Sequence, residues 1–146
     1  MTAPVFVDTN VFIYALDKAD LKKHDTAQMW KAELWKSRRG RISFQVLQEF
    51  YTRTTQKWPT LHLEVRSAVR NLLQWNPIVL DSEILERAWK IQERFKLSFW
   101  DALIVSAAKA ASCKYLLTED LQEGQELDGV LVVNPFRTSP REIAAG

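Results

Sequence analysis

VFVDTNV, residues 5–11, starts with three apolar residues and continues with Asp8, Thr9 and Asn10. A continuous apolar run of this length is typical of a strand that is buried on both faces, as in a parallel sheet. The polar residues after it are of the types that begin a helix. The stretch therefore predicts a buried strand that places Asp8 at the carboxyl edge of a sheet, where the parallel strands end.

Apolar runs of the same kind recur along the chain, and amphipathic segments separate them. The further runs are residues 42–44, 78–80, 115–117 and 130–133. Apolar residues at helical spacing predict helices at residues 21–38, 45–57, 65–73, 84–95 and 102–111. Because strands and helices alternate, we predict an α/β fold, a three-layer α/β/α sandwich with a mainly parallel sheet of roughly five strands.

Length and composition favour one domain with a sizeable core, since the chain has 146 residues of which 47 % are apolar. We predict that this domain covers residues 1–136 and that residues 137–146 form a tail. The single cysteine, Cys113, favours a reducing, cytoplasmic compartment. The amino terminus lacks a secretory signal pattern and no apolar run reaches about 18 residues, so no membrane span is expected.

Four acids lie where the strands of an open α/β sheet are predicted to end, the place at which such sheets bind ligands. Asp8 and Asp120 follow predicted strands. Glu49 lies one turn into the helix after the second run, and Asp101 opens the helix that leads into the fourth. If the four converge, their repulsion is relieved by a hard cation, and carboxylate sites without histidine suit one or two Mg²⁺ or Mn²⁺ ions. Such ions activate water for phosphodiester cleavage.

Each of these acids also has a purely structural interpretation. Asp8 is compatible with a helix cap, and Asp101 with a first-turn acid that the helix dipole favours. Glu49 is compatible with a solvated helix acid, although it borders the apolar face, and Asp120 with membership of an acidic loop. Asp81 also follows a predicted strand and has the pattern of an ordinary cap, so position after a strand is weak evidence by itself.

Four motifs together resemble a known family. They are residues 5–11 (VFVDTNV), 48–50 (QEF), 99–104 (FWDALI) and 117–121 (LTEDL). Their order and intervals resemble those of the PIN-domain family and, within it, the VapC-type toxins of bacterial toxin–antitoxin pairs. The resemblance extends from residue 5 to about residue 136, and the ordered set is more specific than any single motif.

The resemblance implies a Mg²⁺- or Mn²⁺-dependent endoribonuclease, in a family of which many members cut transfer or ribosomal RNA. It also implies a homodimer and a partner antitoxin whose tail lies over the active-site groove. The family's metal-binding acids fall on Asp8, Glu49, Asp101 and Asp120, with Asn10 and Thr118 as polar neighbours. Asp120 matches the motif, and the adjacent Glu119 is the alternative.

A nuclease with an acidic site needs basic residues to attract RNA. We predict phosphate contacts from Arg38, Arg39, Arg41 and Arg53. A solvated helix surface is the other interpretation of this basic cluster. Trp30 and Trp35 are predicted to pack against a helix face or a dimer interface, with base stacking as the alternative.

Other functions compete with the toxin interpretation. One is a PIN-fold RNA-processing nuclease without an antitoxin, and another is a non-catalytic module that binds a protein partner. A phosphatase that uses Asp8 as nucleophile needs a second acid two residues later. Asn10 occupies that place, which excludes this chemistry.

Overall fold

Short buried strands form the centre of the molecule, which a computed structural model describes over residues 3–143. The strands are β1 (Val5–Val7), β2 (Gly40–Arg41), β3 (Tyr115–Leu117), β4 (Glu126–Leu127) and β5 (Val130–Val133). The helices are α1 (Thr9–Leu16), α2 (Leu21–Ser37), α3 (Phe44–Lys57), α4 (His62–Leu72), α5 (Ser82–Phe95), α6 (Phe99–Ala110) and α7 (Pro140–Ile143). Two 3₁₀ turns, Pro59–Leu61 and Leu73–Trp75, flank α4.

The sheet is mainly parallel, with the strand order β2-β1-β3-β5-β4. β1 pairs in parallel with β2 and β3, and β3 pairs in parallel with β5. β4 runs antiparallel to β5 at one edge. Parallel neighbours require crossover connections, which the helices supply. The predicted α/β sandwich and the five predicted helices are therefore confirmed, the helices to within about one turn at either end.

The strand assignments need correction at the sheet edges. The second strand is Gly40–Arg41 rather than residues 42–44, and beyond it Ser43 and Ile78 form only an isolated parallel bridge. The predicted strand at residues 78–80 is wrong, since Val79 is 70 % exposed and lies outside any strand. The sequence analysis missed β4 because two residues, one of them exposed, are too short for an alternating pattern.

The carboxyl-terminal residues pack against the domain as far as the structure describes them. Ile143 in α7 is buried. The buried Arg39 side chain donates from Nη2 to the Ile143 carbonyl at 3.1 Å and from Nε to the Ala3 carbonyl at 2.9 Å. One guanidinium thereby joins both ends of the described chain. Within the tail predicted from residue 137, Ile143 is thus buried while residues 137, 139, 141 and 142 are exposed, and residues 144–146 lie outside the described part.

Trp30 anchors α2 in the core. Its ring is fully buried, and its indole Nε1 donates to the Pro135 carbonyl at 2.9 Å. Trp35, one turn and a half further along α2, is 43 % exposed and lies 6.1 Å from the Trp75 ring, centroid to centroid. Trp30 is therefore a packing residue, as predicted. Between residues 3 and 143, none of the helices combines the length and apolar character needed to cross a bilayer.

Candidate metal centre

Asp8 lies at the carboxyl edge of the sheet, where β1 ends and α1 begins. Its backbone N–H donates to the Leu117 carbonyl at 3.0 Å, which continues the ladder between β1 and β3. Its Oδ1 accepts from the Thr9 N–H at 2.7 Å, so the residue also caps α1. Only 8 % of Asp8 is exposed. A capping role and a metal-binding role for Asp8 are thus compatible, because Oδ1 caps α1 while Oδ2 accepts from Thr118, the residue after β3.

Thr118 connects Asp8 to the acid that follows β3. Its hydroxyl donates to Asp8 Oδ2 at 2.9 Å and accepts from the Asp120 N–H at 3.1 Å. Asn10 Nδ2 donates to Asp120 Oδ2 at 2.9 Å and approaches the Thr118 hydroxyl oxygen at 3.4 Å. The structure therefore brings together four of the predicted site residues, although more than a hundred residues separate the two pairs along the chain.

Burial raises the pKa of Asp8 from 3.8 to about 6. Hydrogen bonds from Thr118 and Thr9 oppose this shift, and the negative charges of Asp120 and Glu49 add to it. Because a carboxylate that loses water is costly unless it is paired, the ionised Asp8 is a destabilised group in the absence of a cation. The Glu49 charge is the smallest of these contributions to the Asp8 pKa.

This pKa predicts how stability depends on pH without metal. The folded protein holds the Asp8 proton up to about pH 6, whereas the unfolded chain releases it near 3.8. The Asp8 contribution to stability is therefore complete below about pH 4 and is lost as the pH rises to about 6, by about 3 kcal/mol in total. We expect urea unfolding in EDTA to show that Asp8→Asn gains about this much stability relative to wild type between pH 4 and pH 7. Parallel pH profiles of the two proteins would contradict the assignment.

Glu49 lies on α3 and is held by two neighbours on the same helix face. Gln45 Nε2 donates to Glu49 Oε1 at 2.9 Å, and Arg53 Nη2 contacts Oε2 at 3.1 Å. Gln45 Nε2 also lies 3.2 Å from the Trp100 carbonyl at the start of α6. Gln45 therefore ties α3 to α6 within the site. The sequence analysis overlooked this residue, although its spacing of four from Glu49 on a helix is a usable signal.

Asp101 occupies the first turn of α6, where its N–H donates to the capping Ser98 hydroxyl at 3.1 Å. Because α6 leads into β3, its amino end lies at the same edge of the sheet as Asp8. Asp101 is joined to Glu49 through its neighbour Trp100 and Gln45, and its carboxylate contacts none of the other three acids directly. The structure thus places Asp101 at the rim of the site.

Asp120, rather than Glu119, lies in the hydrogen-bonded cluster. Lys23 Nζ contacts Glu119 Oε2 at 2.8 Å and stands 4.9 Å from the Tyr14 ring centroid and 5.0 Å from that of Phe136. The Glu119 carboxylate raises the pKa of both Lys23 and Tyr14. Glu119 is therefore committed to a cation on α2. The sequence carries no local signal for this pair, because 96 positions separate its members.

Three of the four predicted RNA-binding arginines do not border this site. Arg39 is 6 % exposed, and its side chain donates to two backbone carbonyls, so a contact between Arg39 and RNA remains a prediction that its burial does not favour. Arg38 caps the end of α2 and Arg41 is the second residue of the edge strand β2, where it pairs with Phe6 rather than lying beside Asp8. Arg53 does border the acidic cluster, through Glu49. Arg39 thus points toward the chain ends, whereas Arg38 and Arg41 remain close to each other.

The side chains of the cluster are of the types that bind a divalent cation, but they are not arranged closely around a common point. Within residues 3–143, no three Asp, Glu, His or Cys side chains stand close enough to hold an ion. The side chains that meet at the site all offer oxygen ligands, and Asn10 Oδ1 is buried without a hydrogen-bond partner. A buried carboxylate whose acidic neighbours raise its pKa, beside an unpaired amide oxygen, favours a hard cation such as Mg²⁺ or Mn²⁺.

Thr118→Val tests the hydrogen-bonded centre of this cluster. We expect the free energy of unfolding in EDTA to fall by about 1–3 kcal/mol, because a buried carboxylate and a backbone N–H each lose their partner. Chemical denaturation measures the change. Thr118→Ser keeps the hydroxyl and should remain close to wild type. A valine variant as stable as the serine variant would show that the hydroxyl contributes nothing.

Together, the fold and the cluster define an α/β protein with an oxygen-donor centre at the carboxyl edge of its parallel sheet. Comparison of the sequence with protein families then gives the family. The family described as PIN domain matches residues 5–123, and the chain belongs to this family. No curated protein matches the chain.

Solved structures of toxin–antitoxin proteins share this fold. A toxin–antitoxin complex from Klebsiella pneumoniae is 22 % identical, with a TM-score of 0.66, and the match covers 90 % of this chain and 97 % of that one. VapC20 of Mycobacterium tuberculosis, a sarcin–ricin loop cleaving toxin, is 21 % identical, with a TM-score of 0.57 and coverage of 77 % and 86 %. VapBC2 of Rickettsia felis, bound to a promoter DNA fragment, is 16 % identical, with a TM-score of 0.60 and coverage of 89 % and 97 %. At these identities the likeness shows the fold alone.

Proposed function

We propose that this protein is a metal-dependent endoribonuclease and the toxin of a VapBC-type toxin–antitoxin pair. The observation that carries the proposal is the buried Asp8 carboxylate, joined to Asp120 through Thr118 and Asn10 at the carboxyl edge of a PIN-domain sheet. Membership of the PIN family and structural likeness to toxins, one of them a cleaver of the sarcin–ricin loop, support it. RNA is the substrate, and the cytoplasm is the expected compartment.

The proposed ion ligands are Asp8, Glu49, Asp101 and Asp120. A Mg²⁺ or Mn²⁺ ion held by them would activate water and offset the charge that develops on the phosphate. Thr118 donates to Asp8 and Asn10 donates to Asp120, and these hydrogen bonds would orient the two carboxylates toward an ion. Gln45 orients Glu49 in the same way. The oxygen set favours these ions over zinc, which prefers nitrogen and sulfur ligands.

Arg53 is the proposed contact between the site and the RNA backbone. Its side chain is half exposed and already lies at the acidic edge, where Glu49 holds it at 3.1 Å. An exposed ion pair of this kind contributes little to stability, so the guanidinium exchanges readily between Glu49 and a phosphate. Such a contact strengthens RNA binding without selecting a sequence.

We also propose an antitoxin partner, because two of the similar structures are toxin–antitoxin assemblies, and a homodimer, which the resemblance to the PIN-domain family implies. An RNA-processing nuclease without an antitoxin has the same chemistry, and an interaction module has none.

Brief expression followed by sequencing of RNA 5′ ends distinguishes the toxin, the RNA-processing nuclease and the interaction module. New 5′ ends with growth arrest, relieved by a small protein encoded beside this one, are expected for the toxin. Cleavage without growth arrest favours processing.

A purified sample tests the catalytic part of the proposal directly. We expect cleavage of cellular RNA with Mn²⁺ and none with EDTA. An absence of cleavage with either Mn²⁺ or Mg²⁺ would defeat the proposal and favour the interaction module.

A further inference from the structure

Two adjoining cavities lie away from the acidic cluster, on the side of the molecule formed by the end of α2, β2 and the turn after α4. Their volumes are about 420 Å³ and about 370 Å³. Both are lined by Trp35, Gln74 and Trp75, so the two cavities lie side by side. We call the two cavities together the Trp35 groove. Gly40 is one of its lining residues, and the Trp75 ring packs so closely on it that a Cβ there would overlap the ring.

The Trp35 groove is remote from the acidic cluster. Its lining includes Gly40 at the start of β2, which pairs with Val5, the first residue of β1. It also includes Ala111 at the carboxyl end of α6, ten positions after Asp101 and so about 15 Å away along the helix axis. A ligand in this groove therefore occupies a second site rather than part of the acidic one.

The charge of the groove is positive and uncompensated. Lys31, Arg38 and Arg41 line it, and the lining contains no Asp or Glu. Arg41 Nη1 donates to the carbonyls of Arg38 and Gly40, at 2.9 and 3.0 Å, which fixes the direction of its guanidinium. Across the described residues, none of the three cations forms an ion pair. Three cations without an acidic neighbour suit a ligand with repeated negative charges.

Aromatic and amide side chains accompany these cations. The exposed Trp35 ring carries the Arg38 guanidinium at 5.6 Å from its centroid. The amides of Asn71, Gln74 and Asn76 line the same walls. An indole offers a stacking face for a base, and amides offer both donors and acceptors to base edges. An acidic peptide would use the cations but has no need of the stacking face.

We propose that the Trp35 groove binds a single-stranded segment of RNA, remote from the bond that is cut. In this arrangement Lys31, Arg38 and Arg41 contact phosphates and Trp35 stacks on an unpaired base. The inference rests on the proposed function for its choice of RNA. It adds a second contact region, so that recognition extends beyond the nucleotides at the acidic cluster.

Binding without metal tests the groove separately from cleavage. Fluorescence anisotropy follows a labelled single-stranded RNA of about 12 nucleotides in EDTA, where the acidic cluster repels RNA. We compare wild type with Lys31→Gln/Arg38→Gln. The control is Lys90→Gln/Lys96→Gln, which removes the same charge from α5 and its carboxyl end, outside the groove.

We expect the Lys31→Gln/Arg38→Gln protein to bind about tenfold or more weakly. The slope of log affinity against log salt should also fall in magnitude by about 1.4, because each lost phosphate contact removes about 0.7. Trp35→Leu should bind about 5- to 150-fold more weakly and lose the quenching of tryptophan fluorescence that stacking causes. The control should retain the wild-type affinity and slope.

The proposal fails if the groove variants bind as wild type does, or if the control loses as much affinity as they do. It also fails if poly-glutamate displaces the RNA as effectively as unlabelled RNA, since the groove would then be a site for an acidic protein segment. Failure of the proposed function has a different signature, the absence of cleavage by wild type in Mn²⁺. If wild type cleaves RNA in Mn²⁺ but the groove variants bind RNA as tightly as wild type does, only the proposal for the groove is defeated.

Discussion

Asp8→Asn is expected to lower the rate of RNA cleavage by about a thousandfold or more. The substitution keeps the shape of the side chain and an oxygen that accepts from Thr9, but it removes the negative charge nearest the centre of the cluster. A neutral amide is a poor ligand for a hard cation, so the ion that activates water is lost. Initial rates on a defined RNA at neutral pH with Mn²⁺ measure the effect.

Asp81→Asn is the matched control for this variant. Asp81 also caps a helix, accepting from the Ile84 N–H at 2.9 Å, and it lies outside the acidic cluster. Asparagine is as good a cap as aspartate, so this variant should fold and cleave as wild type does. Thermal unfolding with Mn²⁺ provides a second measurement, since the ion should stabilise wild type and leave Asp8→Asn unchanged. Equal losses of activity in both variants would contradict a metal role for Asp8.

Trp30→Ala is expected to lower the free energy of unfolding by about 3–5 kcal/mol. The ring is fully buried between α2 and the sheet layer, and its removal leaves a cavity as well as a Pro135 carbonyl without its donor. Small domains have only about 5–15 kcal/mol of stability, so this variant should be unfolded in part near body temperature. Urea denaturation followed by circular dichroism measures the change.

Two further tryptophan variants separate the causes of this loss. Trp30→Phe fills most of the space without the indole N–H, so its deficit reports mainly the hydrogen bond to Pro135. Trp89→Ala removes a ring that is 49 % exposed on α5, and its effect should be well under half that of Trp30→Ala. Similar losses for the two alanine variants would show that burial of Trp30 does not anchor α2.

The sequence was sufficient for the architecture because its central strands are continuous apolar runs. Residues 5–7 and 115–117 are strands buried on both faces, which is why three apolar residues in succession identified them. The same pattern at residues 78–80 was misleading, since Val79 points to solvent after a single bridge. Edge strands depend on tertiary pairing, and their two-residue lengths leave no periodic signal.

For the site, the sequence predicted four acids but not the hydrogen bonds that hold them. Thr118 and Asn10 were placed by family resemblance, and the structure gives them hydrogen-bond partners. The positive charge of Arg39 indicated solvent or RNA, and no local pattern predicted that its side chain donates to the carbonyls of Ala3 and Ile143. The Lys23–Glu119 pair depends on chain folding over 96 positions, which no local pattern reveals.

The Thr118 hydroxyl has a consequence for how the two halves of the site respond to each other. It possesses a single proton, which points to Asp8, while its lone pairs receive the N–H of Asp120 and face the Asn10 amide. If Asp8 itself becomes protonated on the facing oxygen, two hydrogens compete for one position and the hydroxyl must rotate. The rotated proton then points toward either the Asp120 N–H or the Asn10 amide, and the Thr118 oxygen loses one of these two donors. Protonation of Asp8 after β1 is therefore expected to alter the hydrogen bonds of Asp120 in the loop after β3, through rotation of the Thr118 hydroxyl.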